Sequence, residues 1–410
     1  MKKIPLHSLV LIHSPNSLSK SQLATHKFKS FEILNFDKIK EELVGDSNRT
    51  DINHLAYHEI FYKILQKLKL GERVVCDFNN LKVKERFAIT KLGRDLGLPI
   101  YYIIDNELTP DTNLTSSQKE SIKFNDRDIL KGDGFATVID SRKEDFQVIE
   151  KPNLINMKEY IKSLGYKGIT VVGDVHGMKE ALKSTIDWAA SRNHYLIYLG
   201  DIVDHGHDNI SCIEIIYDLV MRGKAFLIKG NHENKLEKWL DQIDTGAVRV
   251  KLSEANKLTT DAIISLPSNQ KTILINRFRA LMNLAKNHLI VGNTLFTHAA
   301  AEPEMFDIYS HRLKGHHESM ALYGEIHETY KTKDNGYPNR IYNWVTRIPE
   351  NKQVIVGHDI RSYQRPVTVK NENNGVAVFM DTGSAKGGLL SSADISFEGE
   401  TLVIKNFVYH

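Results

Sequence analysis

The segment GITVVGDVHG at residues 168–177 joins a short apolar run to a turn that carries a carboxylate, Asp174, and an imidazole, His176. A short apolar run that stops at a glycine is typical of a buried β-strand followed by a sharp turn. Further apolar runs in this half of the chain are also followed at once by polar residues, and they end at Leu199, Ile228, Phe296, Val356 and Met380. The carboxyl ends of strands in an α/β sheet converge on one crevice, so we expect the side chains after these strands to meet.

The turns after these strands carry five short motifs: GDVHG (173–177), GDIVDHG (200–206), GNHE (230–233), THA (297–299) and GHD (357–359). Carboxylate and amide oxygens suit hard divalent cations, and imidazole extends the choice to Mn, Fe, Ni or Zn. Two such cations about 3.5–4 Å apart clamp a phosphoryl group and generate a hydroxide near neutral pH. One turn of this kind would fit an ordinary capped strand end, but three in order with two later histidines favour a two-metal phosphoesterase. The candidate metal ligands are Asp174, His176, Asp201, Asn231, His298 and His358.

The five motifs resemble those of calcineurin-like metallophosphoesterases of the phosphoprotein-phosphatase type. The resemblance implies that Asp174 and His176 bind the first metal, that Asp201 bridges, and that the second metal is bound by Asn231, His298 and His358. It also implies that His232 protonates the leaving oxygen and that Asp204 orients His232. Mn is the preferred metal, with Ni, Fe, Zn or Mg as alternatives.

One position departs from the family pattern, in which an Arg that grips the phosphate follows the second Asp of GDxxDRG. Here that position is His205, which is shorter than Arg and only partly charged near pH 7. His205 is therefore a candidate phosphate contact of reduced strength, and the adjacent His207 could share the role. Both residues also fit an ordinary loop at the rim of the site, as do the later histidines His311, His316, His317 and His327.

Three local features resemble bacterial and phage polynucleotide kinase-phosphatases: GNHENKL (230–236), FTHAA (296–300) and Asp381-Thr382-Gly383 followed by Gly387-Gly388-Leu389. The resemblance implies a phosphatase that removes 3′-phosphate from RNA or DNA ends, with Asp381 acting on 2′,3′-cyclic phosphate. Nucleic-acid ends would be the substrate, and a separate ligase could be a partner. The alternatives are a dinucleoside polyphosphate or Ser/Thr protein phosphatase on the same core, and a non-catalytic nucleic-acid-binding scaffold.

The N-terminal half resembles the P-loop kinase module of those enzymes. Residues 14–21, SPNSLSKS, have the spacing GxxxxGKS with Ser at both glycine positions, and Lys20 and Ser21 match the residues that contact phosphate and Mg. Asp37 resembles the general base for a 5′-hydroxyl, and Asp77-Phe78-Asn79-Asn80 with Arg86 resembles a further motif. A Cβ at a P-loop glycine costs roughly 1 kcal/mol and blocks the approach of phosphate. Arg127 is also the only arginine where an Arg-rich lid is expected, between Ile104 and Ala136.

We therefore predict a degenerate kinase domain that is inactive or nearly so and would use ATP and Mg only if active. In the alternative interpretation, Lys20 and Ser21 simply begin a helix. Alternating β/α patterns predict a parallel sheet in this half, with strands at 9–12, 32–34, 73–77 and 99–104 and helices from residue 20 and at 37–43, 53–68 and 83–95.

The length of 410 residues suits two domains, which we place at 1–150 (P-loop kinase-like α/β) and 151–410 (metallophosphoesterase α/β sandwich, with a helical cap insert at about 240–290). A net charge of +3 gives no global basic field that would by itself argue for nucleic acid. The two cysteines, Cys76 and Cys212, lie far apart in apolar segments, which favours a reducing compartment. The apolar runs are too short to cross a bilayer, and no cleavage-site pattern follows the N-terminal one, so we expect a cytoplasmic location without membrane contact. Nothing in the sequence determines the oligomeric state.

Overall fold

The computed structural model describes residues 1–14, 17–78, 83–105, 136–141, 143–246, 250–309, 313–327 and 338–410, which divide into two compact units. The N-terminal unit consists of Met1–Lys151, Met221–Gly223 and Ser268–Asn283, and the C-terminal unit of Pro152–Val220, Lys224–Pro267 and Leu284–His410. The domain boundary placed between residues 150 and 151 stays a prediction. The capping role of residues 240–290 also stays a prediction, and part of that segment belongs to the N-terminal unit.

The strands of the N-terminal unit are β1 (Lys2–Ile4), β2 (Leu9–His13), β3 (Ile33–Asn35), β4 (Val74–Asp77), β5 (Ile100–Ile104), β6 (Ala136–Asp140) and β7 (Phe146–Val148). Between them lie the helices α1 (Ser17–Lys27), α2 (Phe36–Val44), α3 (Asn53–Lys69) and α4 (Val83–Asp95). Five strands form one sheet in the order β3-β4-β2-β5-β6, with all neighbours parallel, and β1 pairs with β7.

The central strands of this sheet are buried on both faces, which explains their nearly continuous apolar sequences. All four residues of β4 are buried, and its neighbour β2 contributes Val10 and Ile12 to a core with Phe28 and Ile103. The predicted strands and helices of this half are present with ends shifted by at most one residue, except that α1 begins at Ser17. A parallel α/β sheet occurs in many unrelated proteins, so this architecture does not confirm the P-loop kinase assignment.

The C-terminal unit begins with a single 3₁₀ turn (Leu154–Asn156), and a second such turn covers Pro303–Asp307. Its strands are β8 (Gly168–Val172), β9 (His194–Tyr198), β10 (Ala225–Leu227), β11 (His288–Val291), β12 (Thr294–Thr297), β13 (Glu325–Ile326), β14 (Arg340–Ile341), β15 (Gln353–Val356), β16 (Val367–Lys370), β17 (Val376–Phe379), β18 (Ser391–Glu398) and β19 (Thr401–Tyr409). The helices of the second half are α5 (Met157–Ser163), α6 (Lys179–Ser191), α7 (Asn209–Met221), α8 (Asn231–Thr245), α9 (Glu254–Ile264), α10 (Ser268–Leu284), α11 (Gly315–Tyr323) and α12 (Asn343–Thr346).

Two mixed five-stranded sheets form the centre of this unit, in the orders β10-β9-β8-β18-β19 and β11-β12-β15-β17-β16. In each sheet three neighbouring strands are parallel, and the remaining strands, β18, β19, β11 and β16, run antiparallel to their neighbours. Val171 of β8 and Ile197 of β9 share one apolar core with Phe296, Ile355 and Val378 of the second sheet. The sheets therefore pack face to face as an α/β sandwich.

The parallel strands of both sheets end where the sequence indicates. β8, β9 and β10 end at Val172, Tyr198 and Leu227, and β12, β15 and β17 end at Thr297, Val356 and Phe379, each within one residue of its predicted end. The polar residues that follow all six strands therefore lie at strand ends, and those of GNHE also begin helix α8. None of the helices in the described part of the chain is both long enough and apolar enough to cross a membrane.

Candidate metal centre

The carboxylate of Asp201 is the centre of a buried cluster of histidines. Its Oδ2 lies 3.3 Å from His298 Nε2, 3.7 Å from His232 Nε2 and 4.0 Å from His176 Nε2. Asp201 is only 2% exposed. Such a buried carboxylate needs nearby positive charge or hydrogen-bond donors to remain ionised.

Two groups of side chains that could hold a metal ion share Asp201. One consists of Asp174, His176 and Asp201, and the other of Asp201, His298 and His358. In each group the candidate ligand atoms lie within 4.8 Å of one another. Asn231 joins the second group, because its Oδ1 lies 2.9 Å from His298 Nε2. The structure thus brings together all six predicted ligands, in two groups that meet at the predicted bridging residue.

Hydrogen bonds at the far side of the rings support a cation at this place. His176 Nδ1 lies 2.8 Å from the carbonyl oxygen of Val203, and His298 Nδ1 lies 2.8 Å from that of Leu199. A carbonyl oxygen only accepts, so each Nδ1–H donates and, in the neutral ring, Nε2 presents a lone pair to the cluster. His298 Nε2 then faces Asn231 Oδ1, and it also lies 3.1 Å from His358 Nδ1. Lone pairs that converge in this way fit divalent cations, which would occupy the space between them.

The backbone of the turns is unusual at the site. His176, Asp201, Asp204, His205 and His358 all have φ between 47° and 72°, the left-handed region that side chains rarely adopt. Gly357 is required for a different reason, because a Cβ there would lie 2.1 Å from Asp174 Oδ1. The close approach lets the backbone N–H of His358 donate to both carboxylate oxygens of Asp174, at 3.0 Å each.

Burial and neighbouring charges shift the pKa values of the cluster in opposite directions. Burial disfavours ionisation of Asp201, but the surrounding His298, His232 and His176 hold its pKa well below the usual range. Burial, together with the charges of Asp381 and Asp201, raises the pKa of Asp174 well above that range. Burial also lowers the pKa of His176 to about 3. A neutral imidazole is the form that binds a metal.

Glu233 fixes the position of Asp201, a role that the sequence analysis did not assign. Its side chain is fully buried, and its Oε2 accepts hydrogen bonds from the backbone N–H of Asp201 (2.8 Å) and of Gly230 (2.9 Å). Its Oε1 accepts a third from Ile202 N–H at 2.8 Å. These bonds hold the strained turn at Asp201 in place, so Glu233 supports the cluster without being one of the candidate ligands.

His232 and Asp204 form the predicted pair, with His232 Nδ1 2.6 Å from Asp204 Oδ2. Burial lowers the pKa of His232, but Asp201 and Asp204 outweigh burial and raise it to about 9. Helix α9 completes the arrangement, because Asn256 Nδ2 donates to Asp204 Oδ2 and Thr259 Oγ1 donates to Asp204 Oδ1, at 2.5 Å each. A protonated, firmly oriented imidazole can donate a proton to a leaving group.

His205 lies beside the cluster, whereas the neighbouring His207 is exposed. The ring centre of His205 is 4.7 Å from that of His176 and 5.4 Å from that of His232. Burial, together with the positive charge of Lys386, lowers the pKa of His205 to about 4. The His205 side chain is therefore a poor substitute for the cationic Arg of the family pattern.

Asp381 is buried, and its Oδ1 accepts a hydrogen bond from Gly383 N–H at 2.8 Å. Burial raises its pKa to about 6, and its charge contributes to the raised pKa of Asp174. Of the later histidines, His311 lies outside the described residues. Neither His316, His317 nor His327 belongs to a metal-binding group in the part of the chain that is described.

The kinase-like residues of the N-terminal unit lie at the carboxyl edge of its sheet. Lys20 Nζ lies 3.2 Å from Asp77 Oδ1, with both side chains buried, and Ser21 Oγ donates to Asp77 Oδ2 at 2.8 Å. Asp37, at the start of α2, is half-exposed and lies 3.5 Å from Lys40 Nζ. Pro15, Asn16, Asn79, Asn80 and the predicted lid position at Arg127 lie outside the described residues.

The family model of calcineurin-like phosphoesterases matches residues 168–377, slightly more than half of the chain. The chain therefore belongs to the calcineurin-like phosphoesterase family, a class of metal-dependent phosphoester hydrolases.

Among known proteins, the chain is similar to the asymmetrical bis(5'-nucleosyl)-tetraphosphatases PrpE of Geobacillus sp. (strain WCH70) and Oceanobacillus iheyensis. The Geobacillus protein is 25% identical over 236 residues, which cover 55% of this chain and 89% of the relative. The Oceanobacillus protein is 26% identical, with 55% and 87% covered. A crystal structure described as a candidate diadenosine tetraphosphatase aligns with a TM-score of 0.38 and 23% identity, and covers 59% of this chain and 94% of that one.

The family model confirms the predicted calcineurin-like phosphoesterase, and neither it nor the relatives give support for a polynucleotide kinase-phosphatase. They also give no support for a P-loop kinase in the N-terminal half. The relatives are named bis(5'-nucleosyl)-tetraphosphatases. Dinucleoside polyphosphate hydrolysis was one of the alternatives to end healing that the sequence left open.

Replacing Glu233 by Gln is predicted to weaken metal binding about 10–100-fold while leaving the chain folded. The Gln amide would turn an N–H₂ group toward one of three backbone N–H donors, and the turn at Asp201 would shift. Isothermal titration of Mn²⁺ into metal-free protein measures the change. The matched control is Glu237→Gln on the same helix, where the ion pair with Lys229 is at the surface side of α8. Equal Mn²⁺ affinities for wild type and Glu233→Gln would contradict the role assigned to Glu233.

Proposed function

We propose that the C-terminal unit hydrolyses dinucleoside tetraphosphates, cutting the phosphate bridge unequally. The observation that carries the hydrolytic activity is the position of Asp201 within 4.0 Å of three imidazole nitrogens, shared by two groups of ligand atoms. The choice of substrate is supported by the relatives, which are named for this activity and align along 87–89% of their length.

Six residues would hold two divalent cations at this site. Asp174 and His176 would bind the first and Asp201 both, while the second would be bound by Asn231, His298 and His358. Mn²⁺ suits the mixed carboxylate, amide and imidazole set, and Ni, Fe, Zn or Mg are alternatives. When bound, such cations polarise phosphoryl oxygens and allow a hydroxide nucleophile near neutral pH.

The protein's own groups complete the reaction. Water adds to one phosphorus, the P–O bond to the bridging oxygen breaks, and the departing nucleotide oxygen takes a proton. His232 is placed to donate that proton because its Nδ1 is held by Asp204 and its Nε2 faces the cluster, 3.7 Å from Asp201 Oδ2. Asn256 and Thr259 of α9 donate hydrogen bonds to the two carboxylate oxygens of Asp204 and fix its position. Asp204 in turn keeps the ring of His232 in one orientation.

A second candidate is the removal of 3′-phosphate or 2′,3′-cyclic phosphate from nucleic-acid ends. The observation that favours it is Asp381, a buried carboxylate at the position to which the resemblance assigns the cyclic phosphodiesterase role. A separate ligase would then act on the healed ends. The two candidates share the metal centre and differ only in what lies beyond the scissile phosphate.

A competition between substrates separates the candidates. We predict that the Mn²⁺-loaded full chain converts diadenosine tetraphosphate to equal amounts of ATP and AMP, with kcat/KM at least about 100-fold above that for an oligonucleotide 3′-phosphate or a phosphopeptide. Chromatography of the nucleotides and release of inorganic phosphate measure the two reactions. Asp201→Asn should abolish both, which shows that the activity belongs to this chain. Faster release of phosphate from the oligonucleotide would reject the tetraphosphatase and favour end healing.

We further infer that the N-terminal unit does not transfer phosphoryl groups. Lys20, the residue that would contact phosphate, is buried against Asp77, and burial lowers its pKa while Asp77 opposes the shift. Ser14 and Ser19 also add Cβ atoms where the resemblance places glycines, and a Cβ there obstructs the close approach of phosphate to the backbone.

The absence of kinase activity is tested with labelled ATP. We predict that no label from the γ-phosphate of ATP with Mg²⁺ reaches an oligonucleotide with a 5′-hydroxyl. Gel electrophoresis of the oligonucleotide gives the readout. Transfer by the wild type that is lost in Lys20→Ala would show that the N-terminal unit is an active kinase.

A further inference from the structure

The chain forms a rigid turn, residues 382–389, directly after Asp381. Thr382 Oγ1 donates to the carbonyl oxygen of Leu389 at 2.6 Å and closes the turn at its base. Within it, the backbone N–H groups of Lys386 and Gly388 both donate to the carbonyl oxygen of Gly383, at 2.8 and 2.9 Å. A Cβ on Gly388 would lie 1.7 Å from the carbonyl oxygen of Thr382, so the turn can close only with glycine there. We call residues 382–389 the glycine turn.

The glycine turn is fixed to the candidate metal centre at two points. Ser384 Oγ donates to the backbone carbonyl oxygen of Asp174 at 2.7 Å. The same hydroxyl lies 3.3 Å from the carbonyl oxygen of Val175, which lies between Asp174 and His176 in the sequence. At the start of the turn, Gly383 N–H donates to the carboxylate of Asp381. The position of the turn is therefore set by the same strand ends that carry the candidate ligands.

Lys386 projects from this turn as an exposed cation. No ion pair of Lys386 is found among the residues that the structure describes. Its charge nevertheless acts on the centre: it opposes the burial that raises the pKa of Asp174 and of Asp381, and it adds to the burial that lowers the pKa of His205. Because Ser384, two residues earlier in the same turn, contacts the backbone of Asp174, the Lys386 side chain starts at the edge of the candidate centre and is accessible to solvent.

The candidate site lacks the cationic side chain that the family pattern provides for contact with phosphate. The family pattern places an Arg at position 205, whereas the His205 ring here packs edge-on against His176, with ring centres 4.7 Å apart. An imidazole offers at most two donors, against the five of a guanidinium. A lysine ammonium binds phosphate as a compact point charge with three donors on a flexible stem, so it can contact phosphate from a different backbone position.

We propose that Lys386 binds the phosphate of the substrate from the glycine turn, in place of the arginine that is missing at position 205. The proposal rests on the proposed function of this site as a phosphoanhydride or phosphoester hydrolase. It does not depend on which nucleotide lies beyond the phosphate.

Inorganic phosphate is a suitable probe because it is independent of the choice of substrate. We predict that Lys386→Met, which keeps most of the side-chain length and removes the charge, weakens binding of inorganic phosphate to the Mn²⁺-loaded protein about 10-fold. It should lower kcat/KM for diadenosine tetraphosphate by a similar factor. Lys386→Arg should stay within about 3-fold of wild type in both measurements. Isothermal titration measures the binding of phosphate, and chromatography of the nucleotide products gives kcat/KM.

The control is Lys370→Met, which removes another exposed lysine from the same unit. Lys370 pairs with Val376 at the start of β17, whereas the candidate centre follows the end of that strand, so this variant should match wild type. Phosphate affinity of Lys386→Met equal to wild type, or loss of affinity in Lys386→Arg equal to that in Lys386→Met, would overturn the proposal, as would a wild type that binds no phosphate. If phosphate binding depends on Lys386 but diadenosine tetraphosphate is not hydrolysed, the substrate assignment fails and the role of Lys386 stands.

Discussion

The contact between the Asp201 carboxylate and three histidines requires that side chains from several strand ends meet at one buried point. The fold of the C-terminal unit provides this arrangement. A carboxylate that is 2% exposed stays ionised only if cationic or donor groups surround it closely. His176, His232 and His298 come from different strand ends, so their strands must end at the same level. The face-to-face packing of the two sheets, through Val171, Ile197 and Phe296 among others, provides that alignment. The apolar core between the sheets therefore determines where the polar cluster at the strand ends forms.

Residues that follow the strands adopt strained backbone conformations so that their side chains can reach this cluster. The left-handed backbone at Asp201 and its neighbours is an unfavourable conformation for a residue with a side chain. Three hydrogen bonds to Glu233 offset it, and helix α9 holds the proton-donor side through Asn256 and Thr259. The candidate ligands and the candidate proton donor are thus held by buried polar groups, which fix the orientation of side chains that stand at strand ends.

Features that depend on neighbouring residues in the sequence could be predicted. Contacts between residues far apart in the sequence could not. The ligands and strand ends could be found because each motif pairs an apolar run with the polar residue directly after it. Asn256 and Thr259 could not, since nothing local marks a helix about fifty residues downstream as the partner of Asp204. The antiparallel strands β18 and β19 and the grouping of Ser268–Asn283 with the N-terminal unit also depend on long-range packing. The resemblance to polynucleotide kinase-phosphatases rested on short turn motifs such as Asp381-Thr382-Gly383. Such motifs mark the core that many phosphoesterases share, so they do not by themselves distinguish one phosphoester from another.

The central claim is that Asp201 joins two cation sites, and counting the bound ions tests it most directly. The metal-free chain would be titrated with Mn²⁺ and examined by electron paramagnetic resonance. Two ions that share a carboxylate couple magnetically. We predict two Mn²⁺ per chain with a coupled spectrum in the wild type, and loss of the coupling in Asp201→Asn. A single ion per chain, or two ions without coupling in the wild type, would contradict the account.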